Sequence, residues 1–167
     1  MLRLRHWVAN LTSSDQHLNW LVFVLGFLMY ANTLPGGYTF GDELVATDDN
    51  ELITQGLTAL PEIFAESGFG WLDFKPLSKA TFAIEFSIIG EYYLVSNYVQ
   101  IILFGLTCLV LFILLNLFFP QTPMAIRFIA VLLFVVHPLS TIVVNSQLGR
   151  AEMLGLVLFG LGSVQIM

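Results

Sequence analysis

From Asn97 to Phe119 the chain runs for 23 residues, NYVQIILFGLTCLVLFILLNLFF, without one charged side chain, and then meets Pro120. In lipid the backbone has no outside hydrogen-bond partner, so such a stretch is satisfied as a helix that crosses the bilayer. Three further apolar stretches read the same way, over about 18–34, 126–144 and 152–167. The composition agrees: 57% of residues are hydrophobic and 11% are charged, more apolar surface than a soluble chain of 167 residues needs. The sequence therefore predicts an all-α, polytopic transmembrane helix bundle with about four spans, residues 1–167 forming one unit. The last stretch is still apolar at Met167, which reads as the front part of a longer protein. Cys108 sits alone inside an apolar run and reads as a small buried hydrophobe.

Charge placement gives a sidedness. Between Pro35 and Tyr93 lie ten acids (Asp42, Glu43, Asp48, Asp49, Glu51, Glu62, Glu66, Asp73, Glu85, Glu91) against Lys75 and Lys79. Arg3 and Arg5 precede the first span and Arg127 opens the third, so the positive-inside rule puts the N-terminus in the cytoplasm. The loop 35–93 and the window 138–150 then share the opposite side. The long polar lead and the absence of a small-x-small site make the first span a retained helix rather than a cleaved signal. The acidic balance excludes nucleic acid as a partner, because phosphate backbones require a basic face.

The loop 35–93 is too long for a plain connection. Asp48-Asp49-Asn50 can cap a short helix carrying Leu52 and Ile53, and Pro61 suits the first turn of another. Pro76 starts a third, with Leu77, Thr81, Ile84 and Ile88 at helical spacing. It reaches only Gly90 and reads as an interfacial helix, its apolar face in the headgroups and Lys79 and Glu85 facing out.

Several residues can carry chemistry. Asp42, beside Glu43, stands near the membrane surface and is a candidate general base; a solvated acidic turn is the plainer account. Asp48 and Asp49 are candidate oxygen ligands for a divalent cation, with capping as the alternative. Lys75 can meet a phosphate at headgroup depth or snorkel. His137, ten residues into the third span, is either a functional group or one satisfied by carbonyls that Pro138 leaves free. Arg150 can grip a phosphate bidentately, and with Glu152 it can equally form an interfacial pair.

HPLSTIVVNSQLGRAEMLG (137–155) resembles the His-Pro…Thr…Gly-Arg-Ala-(Asp/Glu) signature of the transmembrane and tetratricopeptide-repeat O-mannosyltransferases and their bacterial relatives, of the GT-C group. FGDELVATDDNELITQGLTALPEIF resembles the acidic stretch after their first span. FKPLSKATFAIEFSIIGEYYLVSNYVQIILFGL resembles their Tyr-Arg-Pro-Leu segment. The resemblance implies an inverting glycosyltransferase of a bacterial inner membrane or endoplasmic reticulum membrane, with its site on the periplasmic or lumenal side. Its donor would be a sugar on polyprenyl or dolichyl phosphate, without any certain cofactor, and its acceptor a hydroxyl on a protein or envelope component. Asp42, with Glu43, would be the base; Arg150 and Lys75 would hold the donor phosphate; His137 and Glu152 would shape the site floor. Two positions depart from the family: Gly41 stands where the first of two acids is usual, and Lys75 where arginine is usual. Gly41 keeps open a non-catalytic scaffold of the same fold. A transporter or channel element is the third alternative, although no internal repeat supports it.

Overall fold

The computed structural model describes residues 16–39, 42, 51–65 and 75–166. Among the described residues every regular element is helical: α1 (Gln16–Tyr30), α2 (Glu51–Thr54), α3 (Leu60–Ala65), α4 (Pro76–Ile89), α5 (Tyr93–Phe118), α6 (Met124–Val135), α7 (Pro138–Asn145) and α8 (Arg150–Ile166). Short 3-10 turns over Ala31–Thr33, Gly56–Ala59 and Gln147–Gly149 join them. The all-α expectation holds.

Helix α5 is the central post. Its 26 residues span about 39 Å at 1.5 Å each, and its most apolar window has a mean hydropathy of 2.8. It alone, among the described residues, is a single helix long and apolar enough to cross a membrane. It begins four residues before the expected span because Tyr93 to Ser96 continue the same helix. Helix α1 packs along it where Gly26 meets Gly105. A Cβ on Gly26 would lie 3.1 Å from Cys108 Sγ and 3.3 Å from Gly105 Cα, so the bare backbones set this approach. Helix α1 has 15 residues, two fewer than the span read from sequence, and α8 has 17, one more.

The expected third span is broken. Helices α6 and α7 meet at 56°, with His137-Pro138 at the joint. Pro138 has no N–H to return to Phe134 O, and its ring opposes a straight continuation. Side chains fill the gap: Ser140 Oγ donates to Phe134 O at 2.7 Å and Tyr30 Oη to Val135 O at 2.9 Å. The core joins α1, α5, α6, α7 and α8 through Val22, Phe104, Cys108, Phe112, Val131, Val144 and Met153.

Beside this apolar core the interior also holds polar and charged side chains. Gln100, Gln147, Arg150 and Asp42 are buried, while Trp20, Leu28, Leu133, Ile142 and Phe159 are exposed. Exposed apolar surface of this kind marks a contact site for a membrane or another chain. The buried polar set also corrects the reading of α4. Leu77, Ile84 and Ile88 are outward as expected, but Glu85 turns inward and pairs with Arg150. The short helices α2 and α3 close over α4 through Ile53 against Phe82, and Ala59 and Ile63 against Ala83. The expected Pro61 helix is α3, while the capping role of Asp48 and Asp49 lies outside the described residues.

Candidate functional site

The 3-10 turn between α7 and α8 puts Arg150 at the head of α8, inside the bundle and fully buried. All five of its N–H groups are used. Nε donates to Gln100 Oε1 (3.3 Å). Nη1 donates to Thr81 Oγ1 (3.2 Å) and Glu85 Oε1 (2.5 Å), and Nη2 to Ser96 O (3.1 Å) and Gln147 Oε1 (3.0 Å). The guanidinium also lies 3.8 Å from the Phe82 ring centroid. Guanidinium has five donors, so this arrangement leaves none for a phosphate. The expected bidentate grip is replaced by an internal one: Arg150 ties α4, α5 and the turn together.

Asp42 reaches the same turn from 105 residues away. Its Oδ1 accepts from Gln147 N (2.7 Å) and Ser146 Oγ (2.8 Å), and its Oδ2 from Thr39 N (2.8 Å) and Thr39 Oγ1 (2.7 Å). The carboxylate thus caps the turn's first amide and closes its own loop, since ionised oxygens are strong acceptors for backbone N–H. Thr39 Oγ1 also stands 3.4 Å from Asn145 O, a second acceptor within reach.

Polar residues on α5 connect the two. Asn97 donates to Gly36 O (3.0 Å) and accepts from Gln147 Nε2 (2.8 Å). Gln100 donates to Val143 O (3.0 Å) and Ser146 O (2.7 Å), satisfying carbonyls at the end of α7. Ser96 Oγ donates to Glu85 Oε2 (2.8 Å). Nearby, Tyr38 titrates above its ordinary value. Burial is the main cause, with Glu91 and Glu85 adding to it and the Ser96 hydrogen bond and Arg150 opposing it. The phenol therefore stays protonated at neutral pH.

Lys75 Nζ lies 2.9 Å from Glu152 Oε1, with both side chains partly exposed. Glu152 also lines a mainly apolar cavity of about 190 Å³ between α5, α6, α7 and α8, with Phe104, Phe134, Leu139 and Met153. Glu152 thus joins Lys75 to the lining of this apolar slot. His137 is exposed and caps α7, its Nδ1 accepting from Leu139 N at 3.2 Å. The contact His137 makes is this cap, rather than the bond to a freed carbonyl that the sequence offers as one of its two accounts. Glu43, Asp48 and Asp49 lie outside the described residues. No cluster of three metal-ligating side chains occurs among the described residues.

The residues that sequence reading passed over are Thr39, Glu85, Ser96, Asn97, Gln100 and Gln147. For three of them a signal exists. Ser96, Asn97 and Gln100 fall within one turn of an apolar helix, where polar side chains are costly unless partnered. Glu85 carries no such mark.

Gly149 explains the tightness of the turn. A Cβ there would lie 2.1 Å from Val143 O and 2.8 Å from Val143 C, both backbone atoms that cannot swing aside. Gly149→Ala is expected to destabilise the protein by about 1–3 kcal/mol or more. A thermal melt of the purified protein in detergent, followed by tryptophan fluorescence, measures it; an unchanged midpoint would contradict the packing.

The fold and site define an all-helical protein with at least one helix fit to cross a membrane and a buried polar network at one end of it. The chain matches no known family model, no curated protein and no solved structure.

Proposed function

We propose that this chain is the front part of a GT-C-like membrane glycosyltransferase, with about four membrane crossings and its N-terminus in the cytoplasm. It would transfer a sugar from polyprenyl or dolichyl phosphate to a hydroxyl. One observation carries the reading. The three stretches that resemble the O-mannosyltransferases, far apart in sequence, converge in space. Asp42 bonds the 146–147 turn, Lys75 bonds Glu152, and Glu85 pairs with Arg150.

The chemistry then divides among these residues. The prenyl chain occupies lipid and the apolar slot, and the phosphate meets Lys75. An ammonium has three donors and Glu152 engages one. Asp42 Oδ2 takes the acceptor's proton once Thr39 Oγ1 turns to Asn145 O. The freed oxygen bonds to the anomeric carbon, whose bond to the phosphate oxygen breaks with the electron pair leaving on the phosphate. Arg150 touches neither substrate in this scheme; it positions the turn that Asp42 caps.

The test is incubation of the full-length protein in liposomes with labelled polyprenyl-phosphate sugars and hydroxyl acceptors. Wild type is expected to transfer label, and Lys75→Ala to lose about tenfold, a modest loss because the ammonium is partly exposed. Lys75→Arg is expected to retain activity. No transfer by wild type from any such donor would end this reading.

The second reading, a non-catalytic scaffold of the same fold, is favoured by the closure of the network. Asp42 holds four donors and Arg150 five acceptors without any ligand. The transporter reading gains nothing from the α6–α7 break, because Tyr30 and Ser140 already occupy the carbonyls of Val135 and Phe134.

A further inference from the structure

A second cavity, of about 180 Å³, opens on the other face of α7 from the apolar slot, against the chain that leaves α1. Thr33, Gly37, Thr39, Asn97, Val144 and Asn145 line it. We propose that this pocket binds one neutral sugar ring, whose hydroxyl takes the place of the Thr39 hydroxyl beside Asp42.

Four observations converge on that ligand. The space equals the share of about six waters, on the order of one monosaccharide. None of the described lining residues is charged, and behind Thr39 stands the Asp42 carboxylate, which repels anions. A phosphate is therefore excluded, and with it the sugar end of the lipid donor, whose phosphate belongs with Lys75 across α7. The wall offers acceptors: Gly36 O and Asn145 O each hold a single side-chain donor. Carbonyl acceptors with a lone pair to spare suit a ligand that brings O–H groups. Val144 offers an apolar contact, which suits the C–H face of a pyranose. Assigning this ring as the acceptor rests on the transfer reading above; the binding itself does not.

The pocket can be blocked gently. A Cβ on Gly37 meets nothing within 4 Å, so Gly37→Leu introduces bulk at the wall without a clash in the fold. Asn145→Leu replaces a polar lining side chain by an apolar one of nearly the same size. Gly155→Leu, also in open space but outside the pocket, is the control.

The experiment is saturation-transfer NMR on the detergent-solubilised full chain. The probes are the methyl α-glycosides of glucose, mannose and galactose, and an acetylated threonine peptide amide. Saturable binding of at least one hexoside is expected. Asn145→Leu should weaken it about tenfold and Gly37→Leu at least tenfold, while Gly155→Leu leaves it unchanged. The proposal is overturned if no hexoside binds, if binding ignores both pocket substitutions, or if the threonine peptide binds there instead. Hexoside binding without sugar transfer from any lipid donor would retain the pocket and remove the acceptor assignment. Transfer without hexoside binding would remove the pocket and its acceptor assignment while leaving the transfer reading in place.

Discussion

Arg150→Met is expected to cost about 3–5 kcal/mol of stability, the largest effect of any single substitution in the described residues. Removing the guanidinium leaves Glu85 as an unpaired carboxylate, with its side chain 15% exposed, and strips partners from Gln100, Gln147, Thr81 and the Ser96 carbonyl. Arg150→Lys should recover little, because one ammonium cannot serve acceptors on α4, α5 and the 147–149 turn at once. Pairing Arg150→Met with Glu85→Leu should restore part of the loss, since the buried charge then goes with its partner. Melting midpoints of wild type, Arg150→Met, Arg150→Lys, Glu85→Leu and the double variant in one detergent decide it. The single variant should fall by roughly 10 °C or fail to fold, and the double variant should lie above it. Strict additivity between the two substitutions would show that the ion pair is not the keystone.

The course of α5 was legible in the sequence because an uncharged 23-residue run allows little else. The α4 platform was legible too, through Pro76 at its start and its helical spacing. Its facing was only half legible. A period of apolar residues says which side chains share a face, but not whether that face meets protein or lipid. The interfacial reading puts the apolar face outward, as found, but sends Glu85 to solvent, whereas it turns inward because Arg150, 65 residues on, pairs with it. The break at His137-Pro138 was similarly ambiguous. Proline announces a kink, but whether the freed carbonyls meet a ligand or a neighbour depends on Tyr30, over a hundred residues earlier.

The site was legible as a convergence and illegible as a set of contacts. Arg150 beside an apolar stretch reads as a phosphate grip or an interfacial pair with Glu152, and nothing local distinguishes either from a guanidinium spent on its own fold. The distinction lies in Gln100, Ser96 and Gln147, amides and hydroxyls of no individual distinction, whose spacing has meaning only once α5 is set against the turn. Buried polar networks have this property: each member is ordinary, and the geometry that satisfies them all is specific.

Asp42→Asn carries the sharpest consequence for function, an expected loss of transfer on the order of 10²–10⁴-fold, the range that a general base contributes. The same change also disturbs structure. Whichever oxygen becomes the amide nitrogen, it faces a backbone N–H, from Thr39 on one side or Gln147 on the other, and two donors cannot pair. Loss of activity in this variant alone would therefore be ambiguous, and Thr39→Val resolves it. That substitution removes only the hydroxyl that Oδ2 accepts at 2.7 Å, keeping the carboxylate and the Thr39 N–H bond. If the hydroxyl merely supports the fold, Thr39→Val should lower stability by about 0.5–1.5 kcal/mol and lower transfer in step with the folded fraction. If it occupies the acceptor's place, the variant should transfer at least as fast per folded molecule as wild type, because the acceptor no longer competes for Oδ2. Asp42→Asn inactive and Thr39→Val at or above wild type, each normalised to folded protein, would fix Asp42 as the base. Equal losses in both would leave Asp42 as a cap on the turn and move the chemistry elsewhere.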